Sequence, residues 1–576
     1  MENFVFGSLS TVEKRLQHFQ AWRQGVKHHS LMEPRKPQSG DSPTLTVLVG
    51  MSQAIKTVEC TVSEPDTAVY SFTLKKTSWD LLNWQYMQVW QVKLPPQPNG
   101  TIVRYKIKAT PAHGQDPIWA DEGEVFSYFV RAPEPPEWTK NAIIYQIFPD
   151  RFYAGNGRSW PELNDLNKIY GGTIRGIIEK LDYIADIGFN CIWINPFLPD
   201  HTHHRYHATD YYSVEPTLGT LDDVRELVSR AHEKGIRLLF DFVANHWGID
   251  HTLKVDGKTI RTFAEAQADQ NSPYHGWYKW IDWPHDWWSF FGVKELPEVN
   301  VEHPDVRRYL LDSAKFWLCD VGFDGLRLDY ALGPTHDFWT DLYAMVKTSK
   351  PDAWVFGEVV ETPTTIRQYE GRMDGCLDFP LMQALKDTFA LERMSLTAFD
   401  AFLNNHDHFF QTDFSRPSFL DNHDMNRFLF AAKNNKKRLK LGLLCLFTLQ
   451  NPPTVYYGTE IGLSQNTEMS DPNGSGMAEA RQPMCWDEAN QDLAIKAYLE
   501  NLITLRKNYP VFVFGERQTV HCDESTQTFA YLRSTDEEKA IVAFNLNDAL
   551  QTIEFELFEQ KIQIELEAES GEVKFL

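Results

Sequence analysis

From Asn141 to about Tyr457 the chain alternates short apolar runs with amphipathic stretches that close on glycine, and few folds can absorb that pattern. The run NAIIYQIF precedes a helical stretch around Ile174 to Ile187 that stops at Gly188, and FNCIWINP follows. A second helical stretch from Thr220 to Gly235 leads to IRLLFDFV, and a third, Pro304 to Val321 with Gly322 behind it, leads to FDGLRLD. Another from about Thr335 leads to AWVFGE. Strand, helix, strand in this order implies a parallel sheet covered by helices, with glycine supplying the left-handed residue that ends each helix. A doubly wound sheet and a closed barrel both meet that description. GCLDFP, RPSFLDNHD and PPTVYYG bring the strand count to eight, which selects an α/β fold of the (β/α)8 TIM-barrel type.

At 576 residues the chain exceeds what one hydrophobic core supports, about 250 to 300 residues, so further domains flank the barrel. The spacing of Ser10 and Glu13 reads as a helix cap, with Val12, Leu16 and Phe19 on one face, and predicts an N-terminal helical arm over residues 1–40. LTVLVG, VYSFTL, YMQVWQVKL and IVRYKIKA predict a carbohydrate-binding-like β-sandwich over 41–135, closed by the stiff Ala132-Pro-Glu-Pro-Pro-Glu137 linker. The barrel takes 136–505. Residues 246–300, too long for a loop that ordinarily has about 2 to 6 residues, form an inserted subdomain after the third strand. FAYLRS, KAIVAFNLN, TIEFELF and KIQIELEA predict a C-terminal β-sandwich over 506–576.

A formal charge of −23 without clustered Lys and Arg excludes a nucleic-acid or anionic-membrane partner. No apolar run approaches the roughly 20 residues needed to cross a bilayer. The opening MENFVFGSLSTVEKRL lacks the features of a secretory signal, and seven scattered cysteines read as reduced thiols, so the expected location is the cytoplasm.

In such a barrel, chemistry sits where the strands end. The third strand ends in Asp241-Phe-Val-Ala-Asn245-His246, the fourth carries Arg327 and Asp329, the fifth ends in Glu358 and the seventh in Asp421-Asn-His423-Asp424. One such carboxylate is ordinarily a cap or an ion-pair partner. Several converging on one mouth repel one another and need compensation, which is the hallmark of a site.

DFVANH, GLRLD, GEV and FLDNHD, in this order, resemble the signature regions of the α-amylase family of glycoside hydrolases. EWTKNAIIYQIFPDRF, HHRYHATDYYSVEPTLGT, YYGTEIGL and RQPMCW resemble its cyclomaltodextrinase, neopullulanase and maltogenic amylase group, from about Pro135 to Trp486. The resemblance implies retaining cleavage of α-1,4 and also α-1,6 glucosidic bonds in cyclomaltodextrins, maltooligosaccharides, pullulan or starch fragments, through a covalent glycosyl-enzyme. Within the same family the alternatives are a 4-α-glucanotransferase, a debranching enzyme or an α-glucosidase; outside it, a noncatalytic sugar-binding protein. Asp329 matches the nucleophile, Glu358 the acid/base, and Asp424 the third carboxylate that grips the sugar's 2- and 3-hydroxyls. Arg327, Tyr206, His246, His423, Asp241 and Asn245 match substrate-side positions, with Tyr206 as the platform under the sugar ring. Relatives with an N-terminal sandwich often lay it over a partner's active site, which implies a homodimer.

Three stretches depart from the pattern. Tyr330-Ala-Leu332-Gly333 replaces the Asn-Glu or Lys-His pairs that relatives carry behind the nucleophile, leaving the leaving-group preference open, and Leu296-Pro-Glu-Val-Asn300 replaces MPKLN. Many relatives bind calcium near the start of the barrel through Asn and Asp, but Ala154-Gly-Asn156-Gly-Arg158-Ser and Gly171-Gly-Thr173 lack several of those carboxylates, so calcium is not expected at this site and no cofactor is required. The His201-Thr-His203-His204-Arg-Tyr-His207 run lacks the spacing of structural zinc and is read as active-site rim, with no metal.

Overall fold

The computed structural model describes residue 13 and residues 25–50, 54–80, 85–130, 134–410 and 412–576. The expected helix over residues 10–25 and the start of the Pro-rich linker lie largely outside the described residues.

Eight strands build the central sheet: β1 (Ile144–Ile147), β2 (Cys191–Ile194), β3 (Arg237–Val243), β4 (Gly325–Asp329), β5 (Trp354–Gly357), β6 (Gly375–Cys376), β7 (Ser418–Phe419) and β8 (Pro453–Tyr456). Their order is β6-β5-β4-β3-β2-β1-β8-β7, and all pairs are parallel. The ring closes through a parallel bridge between Gly375 and Ser415, where Cys376 N–H donates to Ser415 O (3.0 Å) and Asp378 N–H to Pro417 O (3.0 Å). A Cβ at Gly375 would lie 1.8 Å from Ser415 O, so the closing strands approach this closely because residue 375 has no side chain. The strands are buried on both faces, as a parallel sheet under helices requires. Helix ends follow their local signals. Thr220 and Asp223 form a reciprocal capping box, and Gly188 and Gly322 close their helices at φ of 111° and 106°.

Between β3 and the helix Pro304–Lys315 stands a small domain with a hairpin (Thr252–Val255 with Lys258–Arg261), the helix Thr262–Ala268 and a tryptophan-rich ribbon (Trp280–Asp282 with Asp286–Trp287). The bridges His246 to Glu298 and Tyr278 to Val299 tie it down beside the barrel mouth.

Before the barrel, two five-stranded antiparallel sheets pack face to face around Leu45, Val47, Val58, Cys60, Tyr105 and Ile107. The helical arm expected over 1–40 needs correction in its second half. Val26–Lys27 and Met32–Glu33 pair with Thr44–Gly50, burying Val26 and Met32 in the sandwich. Strands of two residues are too short to display any period. After the helix Leu493–Asn508, a four-stranded sheet begins at Glu516 and packs a hairpin (Gln551–Leu557 with Gln560–Leu566) over Ala530, Leu532, Ile541 and Ala543. Among the described residues no helix is long and apolar enough to cross a membrane.

Candidate active site

β3, β4, β5 and β7 deliver their polar ends to one mouth. Arg327 and Asp329 lie two residues apart on β4 and share a face; Glu358 follows β5 directly, and Asp424 lies five residues past β7. Arg327 stands at the centre. Its Nη1 is 2.7 Å from Asp241 Oδ1 and 2.8 Å from Asp329 Oδ1, its Nη2 is 2.9 Å from Glu358 Oε1, and the guanidinium lies 4.9 Å over the Trp193 ring. Tyr330 N–H donates to Glu358 Oε2 at 3.1 Å.

Asp241 lies deeper. Its Oδ2 accepts from Trp193 Nε1 (2.9 Å), the Tyr206 hydroxyl (3.0 Å) and Asn195 Nδ2 (3.4 Å), so with Arg327 on the other oxygen no acceptor is left for a sugar. It acts by holding Arg327 and Tyr206. The Tyr206 hydroxyl accepts from Asn195 Nδ2 (2.8 Å) and is 2.7 Å from His423 Nε2, and the two rings are parallel within 7°. His423 Nε2 is 3.0 Å from Asp424 Oδ2, while Gln146 Nε2 donates to its Nδ1 at 2.9 Å. Arg481 completes the chain, with Nη2 2.8 Å from Asp424 Oδ1 and Nε donating to His423 O at 2.9 Å. One connected network therefore joins Asp329, Glu358 and Asp424.

His246 is buried against Phe290, with ring centroids 4.5 Å apart. Burial pushes its imidazole down to about 3, so it stays neutral. Asn245 lies 3.2 Å from it and packs against Gly333, with no direct bond to the three carboxylates. His246 Nε2, Asn422 Nδ2 and Gln146 Oε1 are buried without a hydrogen-bond partner among the described residues. Buried polar atoms of this kind are ordinarily satisfied by protein, water or ligand.

Burial raises both Asp329 and Glu358, the neighbouring anions add to it, and Arg327 opposes it at each. Two carboxyls on one guanidinium titrate as a pair rather than as two independent groups. Burial also works to raise Asp424, but His423, Arg481 and Arg327 overcome it and hold this carboxyl well below the usual range.

Arg481, Gln146 and Asn195 were not singled out from the sequence. Gln146 had a visible signal, as the one polar residue in IIYQIF, and Asn195 as the polar end of CIWIN. In the histidine-rich loop, ligand atoms of Asp200, His201 and His207 lie within 4.8 Å of one another and are the residues that could hold an ion. Asp200 already accepts from Thr202 N–H (2.7 Å), Thr202 Oγ1 (2.7 Å) and His207 N–H (2.8 Å), which accounts for it as the organiser of that loop.

Comparison with known proteins matches residues 146–511 to the α-amylase catalytic domain. The chain belongs to the α-amylase family of glycoside hydrolases. Within the family it is 32% identical to alpha-amylase 2 of Dictyoglomus thermophilum over 83% of this chain and 81% of that one. It is 29% identical to a cyclomaltodextrinase of a Bacillus species over 84% and 91%. A solved cyclomaltodextrinase superposes with a TM-score of 0.69 at 25% identity, covering 95% of this chain and 98% of the other, flanking sheet domains included.

Proposed function

We propose that this glycosidase cleaves α-1,4 glucosidic bonds, and α-1,6 bonds where its loops admit them, with retention of configuration. The supporting observation is the single guanidinium of Arg327 in contact with Asp329 and Glu358 at once, which keeps two carboxyls close enough for a double displacement. Asp329 attacks the anomeric carbon as Glu358 passes its proton to the departing glycosidic oxygen. The C–O bond to the leaving sugar breaks and a glycosyl ester forms on Asp329. Glu358, now a carboxylate, takes a proton from water as that water attacks the same carbon, and Asp329 is released as the anion. Asp424, kept ionised, binds two ring hydroxyls and stabilises the positive charge that builds on the sugar in both steps. Tyr206 lies under the ring, with His246 and His423 donating or accepting at its edge.

The substrates are cyclomaltodextrins, maltooligosaccharides, pullulan or starch fragments, and the cyclomaltodextrinase name of two relatives above supports the first of these. The protein works in the cytoplasm, in keeping with seven free thiols, and as a homodimer through its N-terminal sandwich. Release of reducing sugar from β-cyclodextrin, pullulan and starch, compared side by side, tests the substrate class, and the anomer first seen by NMR tests retention. Asp329→Ala and Glu358→Gln should each lower kcat by several orders of magnitude with folding intact. Near-normal turnover in either variant refutes the assignment; absence of activity on every α-glucan would favour a binding protein.

A further inference from the structure

The loop between β1 and the first helix of the barrel, residues 154–173, is where the family resemblance implies a calcium ion, and the residues present do not fit one. Neither 154–159 nor 171–173 contains a carboxylate. Asp150 is fully engaged, its oxygens accepting from Arg151 Nε (2.8 Å), Tyr170 N–H (3.0 Å) and Gly171 N–H (2.9 Å). Calcium takes six to eight oxygens, several of them usually charged, and the oxygens that converge here are backbone carbonyls.

A cationic side chain already holds those carbonyls. Arg158 Nη2 donates to Ala154 O and, at 3.5 Å, to Gly171 O, and its Nε donates to Gly155 O at 3.4 Å. Thr173 Oγ1 adds a 3.0 Å bond to Ala154 O. The two arms of the loop are thereby bound to each other by a guanidinium from within the chain. We propose that Arg158 is the resident cation of this loop and that the protein needs no calcium there. A divalent ion brought to the same carbonyls would face the fixed positive charge of Arg158, while Asp150 is already engaged and Glu179 is held by the Asn156 N–H at 2.8 Å.

The loop is tight enough for this cross-link to matter. A Cβ at Gly172 would lie 2.0 Å from Pro149 O, and one at Gly176 2.1 Å from Tyr153 O. It also supports the site. Arg151, which precedes the loop, donates through Nη2 to Lys168 O within it (2.9 Å) and through Nη1 to Arg481 O (2.9 Å), and its carbonyl accepts from Met484 N–H at 2.8 Å, so it links the loop to the segment whose side chain grips Asp424.

The test uses the full chain. Thermal unfolding is followed in EDTA and then in millimolar calcium, alongside Arg158→Ala and Arg158→Lys. The melting temperature of the unsubstituted protein should shift by less than about 1 °C in either medium, against about 1–2 °C for each kcal/mol lost in a barrel of roughly 370 residues. Arg158→Ala should melt about 2–4 °C lower and be cut several-fold faster within 154–173 by chymotrypsin, a serine protease that cleaves after aromatic residues such as Tyr170. Calcium should restore neither, and Arg158→Lys, a point charge with fewer directed donors, should recover part of both. Destabilisation of the unsubstituted protein by EDTA, one equivalent of calcium found by elemental analysis after chelator-free purification, or an Arg158→Ala protein indistinguishable in both readouts would overturn the proposal.

Discussion

Arg327 reaches Asp329 at 2.8 Å from two residues back along the same strand, and no part of the guanidinium is exposed. Because the same group touches Asp241 and Glu358, it sets charge and spacing for the whole mouth. A lysine there would keep the charge but could not span three carboxylates from a fixed planar fork. Arg327→Lys should lower kcat by about 10²–10³, the scale on which removing one preorganised electrostatic donor is felt. Circular dichroism should be unchanged. Steady-state rates on an aryl maltoside check this, and a loss below tenfold would mean that Asp329 and Glu358 are positioned by something else.

Arg481 makes a separable contribution. It is one of the groups that overcome burial and keep Asp424 ionised far into the acid range. In Arg481→Met the Asp424 carboxyl moves upward, because one of the positive charges that lower it is gone while His423 and Arg327 remain. At pH 7 it is still an anion, less well oriented, and kcat/KM should fall about tenfold. As the pH drops toward 4.5 the variant begins to protonate Asp424 while the unsubstituted enzyme does not, so the ratio between the two should widen. A ratio that stays constant from pH 7 to 4.5 would show that the ion pair affects geometry alone.

Much of this site could be read from the chain because each polar end stands behind an apolar run. Asp241 in LLFDFV, Asp329 in GLRLD and Glu358 in WVFGE are interruptions that a buried strand does not tolerate without reason. The comparison also shows where such reading stops. Asp241 and Asp329 look alike in sequence, yet one is saturated by four donors and the other faces the mouth, a difference set by neighbours such as Trp193 and Asn195 on another strand. Arg481 belongs to a loop after β8 and meets Asp424 through tertiary folding alone. The barrel closure at Gly375 and Ser415, and the strand pairs of Val26–Lys27 and Met32–Glu33, rest on one or two backbone bonds that leave no periodic trace.

Gly333, in the stretch that departs from the relatives, is tied to its place by packing. A Cβ there would lie 1.8 Å from Asn245 Oδ1, and Asn245 in turn neighbours His246. Gly333→Ala must push back either the β4 loop or the β3 end, and overpacking of this kind costs about 1–3 kcal/mol. Urea unfolding should show that loss, and KM should rise because His246 shifts with Asn245. Gly333→Ala with unchanged stability and unchanged KM would mean that the two loops move freely against each other.

Glu124 predicts a pH dependence away from the active site. Burial, reinforced by Asp121, pushes its carboxyl up to about 7, with Arg372 and the backbone N–H of His336 opposing the rise and Glu302 adding to it. The group lies where the N-terminal sandwich meets the helix His336–Ser349, beside the contacts of Arg372 Nη2 with Ser30 Oγ (3.1 Å) and Ser127 O (2.7 Å). Since the folded value exceeds the unfolded value of about 4.3, the folded state holds the extra proton between the two. Its contribution to stability is complete below about 4.5 and is lost as the pH rises to about 7. His28 is buried nearby and pushed down to about 4, and it works in the opposite sense, gaining stability as the pH rises toward 6.5. The two effects separate in a comparison of variants. Glu124→Gln carries no charge at any pH, so it should remove the decline and leave the His28 rise. Urea midpoints at pH 5 and pH 8 should therefore shift upward in the variant, relative to the unsubstituted protein, more at pH 8 than at pH 5. Equal shifts at both pH values would show that Glu124 is already ionised at pH 5 in the folded chain.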